Sequence, residues 1–362
     1  MSGPPQDRRY AVRRTAKRRG AAVAPPNRFE RTRYENDAET LGAEPWRAPP
    51  LKTQYIPDRS RTIIATNDSP DVGFRYSVNP YRGCEHGCPY CYARPTHETL
   101  GWNAGLDFET RILVKYDAPE LLRRELGSPK WTGDVLAFSG VTDCYQPVER
   151  QLELTRRCLE VCAEFRQAVA IVTKNALVLR DLPVLEAMAR RRSVHVTISL
   201  STLDDRLAHE LEPRASLPSR RLEVVAALRA AGIPVRVLVA PVIPALTDSE
   251  LPEILRRAAE AGAQGAGYVL LRLPGAVQEV FLDWLERVVP DRKEAVVTRL
   301  RACRQGKLND STFGRRMRGE GPVAELIRQM FHTAARRFGL DRELPPLDTA
   351  QFRRPSRQRE LF

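Results

Sequence analysis

Short apolar runs alternate with amphipathic stretches at intervals of roughly 30 residues over the central part of the chain, and this alternation limits the fold more than any other feature. The predicted strands are residues 75–78, 134–138, 168–173, 194–200, 235–240 and 267–271. The alternation of strand and helix predicts right-handed βαβ units and a parallel α/β sheet, either doubly wound or curled into a barrel. Six units are too few for a closed eight-unit barrel, so the barrel alternative is a partial (βα)6 TIM-type barrel with one open side.

The segments that flank this core differ in composition. Arginine, proline and alanine dominate residues 1–50, which are predicted to be a disordered basic tail, and residues 51–70 form a lead-in segment. The core domain is then 71–290, followed by a helical C-terminal extension over 291–350 and a second basic tail over 351–362. Within the extension, the polar, glycine-containing stretch 306–321 either caps the open side of the barrel or is an ordinary surface loop.

Positive charge is concentrated at the two ends of the chain. The formal net charge is +13, of which nine charges lie in residues 1–20 and 351–362, so the core is only mildly basic. Such ends are either solvated tails or a source of non-specific attraction to nucleic acid. No stretch is long and apolar enough for a membrane span, and the start lacks the apolar run of a signal peptide. We therefore expect a cytoplasmic, monomeric protein without a membrane partner.

Three of the seven cysteines lie within eight residues, directly after the first predicted strand. Cys84, Cys88 and Cys91 form a Cys-x3-Cys-x2-Cys pattern. A four-iron cluster normally takes four protein thiolates, so three would leave one iron with an open position for a ligand. The alternatives are a zinc site completed by a distant histidine, or simply buried thiols. Zinc sites usually contain paired Cys-x2-Cys motifs, and the sequence has no second pair.

This loop resembles the radical S-adenosylmethionine (SAM) superfamily signature, Cys-x3-Cys-x-aromatic-Cys. The resemblance extends over residues 71–322 and is closest to the spore photoproduct lyase-like branch. The motifs that carry it follow the predicted strands, where α/β barrels build their sites; they are residues 79–84, 140–149, 172–174, 199–201 with 212–214, and 240–244. The resemblance implies a [4Fe-4S] cluster on the three cysteines, SAM as cofactor, and a one-electron donor of the flavodoxin or ferredoxin type.

Roles for the strand-end residues follow from this resemblance. Tyr90 would lie against the adenine of SAM. The turn containing Ser139, Gly140, Thr142 and Asp143 would receive its ammonium group, and Lys174 its carboxylate. Ser199 and Ser201, one of them pointing inward, suit the ribose hydroxyls. Glu212 and Arg214 would pair with each other or with the cofactor. The plainer alternatives are a helix cap for Thr142 and Asp143 and a surface ion pair for Glu212 and Arg214.

One position departs from the lyase pattern. The resemblance implies a hydrogen-donating cysteine three residues before the position of Asp143, where this chain has Gly140. Cys144 follows Asp143 and is the candidate catalytic replacement. It is alternatively a small buried apolar residue. The lyase reaction itself is therefore not implied.

The sequence favours an enzyme that cleaves SAM reductively to the 5′-deoxyadenosyl radical, which abstracts hydrogen from a substrate. Lyase-like relatives, the basic ends and an arginine cluster at residues 315–318 favour DNA or RNA as the substrate, while protein and small molecules stay open. The alternative is a non-enzymatic iron–sulfur protein that binds nucleic acid or senses redox state. Such a protein needs the cysteines but not Asp143, Lys174 and Ser199 on one face.

Overall fold

A computed structural model describes residues 19–30 and 52–355 of the chain. These residues form ten β-strands: β1 (Gln54–Pro57), β2 (Ile64–Thr66), β3 (Tyr76–Val78), β4 (Tyr81–Arg82), β5 (Arg111–Val114), β6 (Leu136–Phe138), β7 (Val169–Thr173), β8 (Val194–Ser199), β9 (Val235–Val242) and β10 (Ala266–Leu270). The same residues form eleven α-helices: α1 (Leu106–Thr110), α2 (Ala118–Gly127), α3 (Glu149–Leu152), α4 (Leu154–Glu164), α5 (Leu182–Ala189), α6 (Asp205–Leu211), α7 (Pro218–Ala230), α8 (Leu251–Glu260), α9 (Val277–Val288), α10 (Pro290–Ala302) and α11 (Pro322–Arg337).

The main sheet has seven strands in the order β10-β9-β8-β7-β6-β3-β2. All neighbours pair in parallel except β2, which runs antiparallel to β3 at one edge. The six predicted strands are the six parallel ones, each within two residues of its predicted ends, so the predicted α/β class is confirmed. A separate three-stranded sheet, β1-β5-β4, lies beside the first parallel strand. Its β1, like β2, comes from the segment predicted only as a lead-in.

Burial alternates along the parallel strands, as expected for a sheet covered by helices on one face. In β7, Val169 and Ile171 are fully buried and share a core with Leu159 of α4. Ala170 and Val172, which alternate with them along the strand, are only half-buried. Successive side chains point to opposite faces of a strand. The apolar core therefore lies between sheet and helices, and the other face of the sheet lines a partly open interior.

Residues 306–321 connect the two edges of this sheet. The amide of Leu270, in edge strand β10, donates to the carbonyl of Met317 at 2.9 Å. On the other side, the carboxylate of Asp71, in the turn between β2 and β3, accepts from the Gly314 amide at 2.7 Å and from Arg316 Nε at 2.6 Å. The segment thus spans the gap between β10 and β2, as the capping alternative predicts.

The arginine cluster of this segment is engaged by the chain itself. Arg315 forms ion pairs with Asp310 and Glu320, and Arg316 with Asp71. Arg318 donates to a backbone carbonyl at 3.0 Å and lies over the ring of Tyr268. The cluster is therefore not a free basic patch, and it no longer supports a nucleic-acid substrate.

The C-terminal extension is helical only in part. After α11 the chain crosses the amino-terminal ends of the strands. There Ala266 donates to the Leu340 carbonyl at 2.9 Å, and Arg353 donates to the Phe165 carbonyl at 3.0 Å. Arg354, predicted to lie in the second basic tail, donates to the carbonyls of Ser128 and Trp131. Residues 351–355 are thus docked, and the rest of that predicted tail, 356–362, lies outside the described residues.

Residues 19–30 also differ from the prediction. Sequence analysis places them in a disordered tail, but Ala21 and Asn27 are buried at 3% and 5% exposure. Asn27 Nδ2 donates to the carbonyls of Glu98 and Trp102 at 2.9 and 3.2 Å. Residues 1–18 and 31–50 of the predicted tail lie outside the described part of the chain. Among the residues described, no helix combines the length and apolar character that a membrane span requires.

Candidate functional site

The cysteine loop runs from β4 to a short 3₁₀ helix at Arg94–Thr96. Cys84 and Cys88 are buried at 6% exposure, Cys91 is half-buried, and all three are free thiols. Gly83 has φ 85°, and a Cβ there would lie about 3 Å from His97, Ile112 and Phe108, so only glycine fits. Burial raises the pKa of Cys84 and Cys91, and that of Cys88 to about 12. Metal binding at this loop would therefore release protons.

The histidines near the loop have other partners. The two ring nitrogens of His86 face Asp143 Oδ2 at 3.4 Å and the Asn175 amide at 3.3 Å. His97 Nε2 lies 2.9 Å from a carbonyl, and its ring packs against Trp102 and Phe108. No three His, Cys, Asp or Glu side chains within the described ranges are grouped to hold one metal ion. In a four-iron cluster each cysteine ligates a different iron, so this loop does not need such a group.

A buried ion pair fixes one side of the loop. Arg94 and Glu109 are both fully buried, with Arg94 Nη2 2.5 Å from Glu109 Oε1. The same guanidinium donates to the carbonyls of Cys88 and Gly87 at 2.9 and 3.2 Å. The Glu109 carboxylate also accepts from the amides of Gly20 and Ala21 at 3.2 and 2.9 Å. Residues 19–30 are thereby attached to the cysteine loop through one carboxylate.

The segment after β6 fixes the other side of the loop. Gln146 accepts from the Glu85 amide at 2.9 Å and donates to the Gly83 carbonyl at 3.1 Å. The Glu85 carboxylate accepts from the Val148 amide at 2.8 Å and forms an ion pair with Arg214 at 3.2 Å. The sequence analysis allowed an ion pair between Glu212 and Arg214. Arg214 instead pairs with Glu85 of the cysteine loop.

Polar side chains from the ends of β7 and β8 meet Glu212 and a backbone carbonyl of β9 in one network next to the loop. Lys174 Nζ, at the end of β7, lies 2.7 Å from Ser199 Oγ, 3.0 Å from Glu212 Oε1 and 3.2 Å from the Ala240 carbonyl. Its ammonium also lies 5.6 Å from the ring centre of Tyr90. The three hydrogens of the ammonium therefore have three acceptors, and the side chain keeps 16% exposure.

Glu212 is the buried centre of this network. Its carboxylate accepts from the Tyr90 hydroxyl, from Ser201 Oγ at 2.8 Å and from Arg221, and the Arg221 side chain is only 2% exposed. Burial alone would raise the pKa of Glu212, but the charges of Arg221 and Lys174 and the Tyr90 hydrogen bond lower it well below its ordinary value. The group is thus an anion in the folded protein.

Ser199 and Ser201 both bond the Ala240 carbonyl, at 3.2 and 2.8 Å. The expectation that only one of them points inward is wrong, because residues two apart along an extended chain share a face.

The turn after β6 is held mainly by its own neighbours. Asp143 accepts from the Tyr145 amide at 2.9 Å, from Thr173 Oγ1 at 2.8 Å and from the Lys174 amide at 2.8 Å. Ser139 has φ 68° and accepts from the Cys144 amide, and Thr142 Oγ1 donates to the Tyr81 carbonyl. The Asp143 carboxylate therefore ties the ends of β6 and β7 together, whatever further ligand it receives.

The structure explains the glycine at position 140. A Cβ on Gly140 would lie 2.8 Å from Ser77 Cβ, so a cysteine does not fit there without a backbone shift. Its carbonyl accepts from the exposed Tyr92 at 2.8 Å. Cys144 is 1% exposed and belongs to the core between sheet and helices, and burial raises the pKa of its thiol well above the usual range. Its position fits the small buried residue better than the candidate hydrogen donor.

Several residues of this region were not found from the sequence. Arg94, Glu109 and Arg221 are charged residues in helical or loop stretches, where no periodicity marks them. Two signals were available: Gln146 lies within the motif 140–149, and Arg94 follows the last cysteine of the loop by three residues.

The radical SAM superfamily model matches residues 78–258, which is half of the chain. The chain belongs to the radical SAM superfamily. The matched region contains the cysteine loop and the whole strand-end network described above. Membership of this superfamily implies SAM and an iron–sulfur cluster as cofactors.

Relatives of this radical SAM protein include an uncharacterized protein of Mycobacterium tuberculosis, 41% identical over 220 residues, and one of Methanocaldococcus jannaschii, 30% identical over 178 residues. The matches cover 60% and 49% of this chain and 65% and 64% of those proteins, so just under two thirds of each relative is spanned. A spore photoproduct lyase variant with bound AdoMet and dinucleoside spore photoproduct has a similar fold, with a TM-score of 0.57, 16% identity and 78% of each chain covered.

Proposed function

We propose that this protein is an enzyme that cleaves SAM reductively at a [4Fe-4S] cluster held by Cys84, Cys88 and Cys91. The observation that carries the proposal is the position of the loop, because its Tyr90 is bonded directly into the Lys174–Glu212 network at the strand ends. An iron–sulfur protein that only senses redox state has no use for such a network. When bound, the cluster would supply one electron to SAM, and the 5′-deoxyadenosyl radical so released would abstract hydrogen from the substrate.

The residues of the network would bind and orient the cofactor. Lys174 is the partly exposed cation of the group and suits a carboxylate, which would replace one of its three present acceptors, and Glu212 behind it holds the ammonium in place. Ser199 and Ser201 offer hydroxyls for the ribose, and the Ser139–Asp143 turn offers acceptors for the ammonium of SAM. Tyr90 would lie against the adenine. Each of these roles is a proposal that rests on proximity and on the chemistry of the side chains.

The partners follow from the same proposal. A one-electron donor of the flavodoxin or ferredoxin type would reduce the cluster, and a reducing cytoplasm would protect it from oxygen. Nucleic acid is the candidate substrate, and the support for it is the similar fold of a lyase that was captured with a dinucleoside photoproduct. The proposal does not include the lyase reaction, since position 140 has no room for a cysteine.

The test is anaerobic reconstitution with iron and sulfide, reduction with dithionite and addition of SAM, followed by measurement of 5′-deoxyadenosine. We expect production that requires all three loop cysteines and that changes when DNA, RNA or protein fractions are added. A stable cluster with no SAM cleavage under any of these conditions would favour the non-enzymatic alternative.

A further inference from the structure

Two arginine side chains, Arg272 just after β10 and Arg304 just after α10, have buried N–H donors with no described acceptor. Arg304 is 1% exposed; its Nη2 donates to the Leu271 carbonyl at 2.6 Å, but its Nε and Nη1 have no partner among the described residues. Arg272 is half-buried, and its Nε is also buried without a described partner. A buried guanidinium without an anion costs several kcal/mol, so the fully buried Arg304 with the half-buried Arg272 next to it indicates a missing anionic partner.

The carboxylates of this region are already committed. Asp310 accepts from the Thr312 amide at 2.8 Å and pairs with Arg315, and Asp71 pairs with Arg316. No described carboxylate lies within ion-pair distance of Arg272 or Arg304. The two arginines are close together, because Arg304 Nη2 donates to the carbonyl of Leu271, the residue directly before Arg272. Burial is the main cause that lowers the pKa of both arginines.

This pair lies beside the cysteine loop. The Arg272 guanidinium is 5.9 Å from the ring centre of Tyr92, the residue after Cys91, and its Nη1 contacts the Met317 sulfur at 3.4 Å. Leu271, whose carbonyl receives Arg304, packs in one cluster with Cys88 and Tyr90. An anion held by the two arginines would thus lie at the mouth of the candidate active site.

An exposed aromatic ring next to Arg272 indicates which anion would bind. The Tyr92 side chain, whose ring centre lies 5.9 Å from the Arg272 guanidinium, is exposed at 49%. An arginine beside an exposed ring is typical of surfaces that hold single-stranded nucleic acid, where phosphates meet the cations and bases stack on the rings.

We propose that Arg272 and Arg304 bind a backbone phosphate of a nucleic-acid substrate. This inference rests on the proposed function, since it places that phosphate at the mouth of the site where SAM would be cleaved. Arg272 is the accessible arginine of the two, and Arg304 lies behind it. Together they have three nitrogen atoms, Arg272 Nε and Arg304 Nε and Nη1, whose N–H groups have no described acceptor and suit phosphate oxygens.

The test is binding of a short fluorescein-labelled thymidine oligonucleotide to the full-length reconstituted protein, measured by fluorescence anisotropy. We expect Arg272→Gln to weaken binding about 10- to 100-fold, the range for a lost hydrogen bond to a charged group, and to lower the salt slope by about one. Arg304→Lys keeps the charge but loses the planar fork, and should also weaken binding. Arg220→Gln removes a surface charge from α7 and should change binding less than about twofold.

Two further probes separate the sources of the phosphate. An uncharged methylphosphonate oligonucleotide should bind much more weakly than the natural one, and orthophosphate should compete only at high concentration. Equal binding of the natural and uncharged oligonucleotides, equal affinities of wild type and Arg272→Gln, or competition by orthophosphate at concentrations close to the dissociation constant of the oligonucleotide would each overturn the proposal. Should Arg304→Lys not fold, Arg272→Gln decides the question. SAM cleavage by the wild-type protein without oligonucleotide is measured separately, so failure of the enzymatic proposal would be distinguishable.

Discussion

Replacing Glu212 by glutamine should destabilise the protein more than any other single change to the strand-end network. The substitution keeps the shape of the side chain and an acceptor for Tyr90 or Ser201, but it removes the anion between Arg221 and Lys174. Breaking a buried ion pair by removing one partner costs about 3 to 5 kcal/mol. Arg221 keeps hydrogen bonds to the carbonyls of Ser216 and Ser199, so we expect a loss near the lower end, about 3 kcal/mol.

The assay is unfolding in guanidinium chloride at pH 7, with Glu223→Gln as the matched control. Glu223 pairs with Arg220 on the same helix, but both side chains are more than half exposed, so its loss should cost less than about 0.5 kcal/mol. A depressed pKa stabilises the fold above the ordinary pKa of the group, and that contribution is lost as the pH falls. The difference between wild type and Glu212→Gln should therefore be full at pH 7 and shrink below about pH 4.5. A cost equal to that of the control, or a difference that grows in acid, would refute this account of the network.

Three further predictions concern the cysteine loop, the cofactor and residues 19–30. Alanine at Cys84, Cys88 or Cys91 should abolish the iron–sulfur chromophore, and alanine at Cys158, in the core of α4, should not; iron and sulfide analysis of the four variants decides this. Lys174→Ala should weaken SAM binding by about 1.5 to 3 kcal/mol in calorimetric titration without loss of chromophore, whereas Lys293→Ala on the surface should leave the affinity unchanged. Glu109→Gln should release residues 19–30 and speed tryptic cleavage at Arg19 and Arg28, because the hydrogen bonds from the Gly20 and Ala21 amides to the carboxylate weaken. Cleavage at the same rate as in the exposed control Glu120→Gln would contradict this.

The sequence alone determined the parts of this protein that depend on neighbouring residues. Short apolar runs located the six parallel strands to within two residues, because the apolar run of a buried strand is a local property of the sequence. The Cys-x3-Cys-x2-Cys spacing identified the cysteine loop for a similar reason, because the three candidate cluster ligands lie close together in sequence. The resemblance to the radical SAM motifs singled out Lys174, Ser199 and Glu212. For Lys174 and Ser199 it agrees with the rule that parallel strands collect their functional residues at one edge, whereas Glu212 follows α6.

Only the tertiary structure decided which distant residues meet. Glu212 has several arginines nearby in sequence, and the fold pairs it with Arg221 of α7, while Arg214 pairs with Glu85 in the cysteine loop. Residues 19–30 lack any periodicity, yet they are held by the buried Glu109 carboxylate. Such pairings form between residues as far apart as Arg316 and Asp71, 245 positions, where composition and spacing carry no information. Their geometry is set by the packing of the sheet and its helices, because a buried charge must find its partner wherever the fold places one.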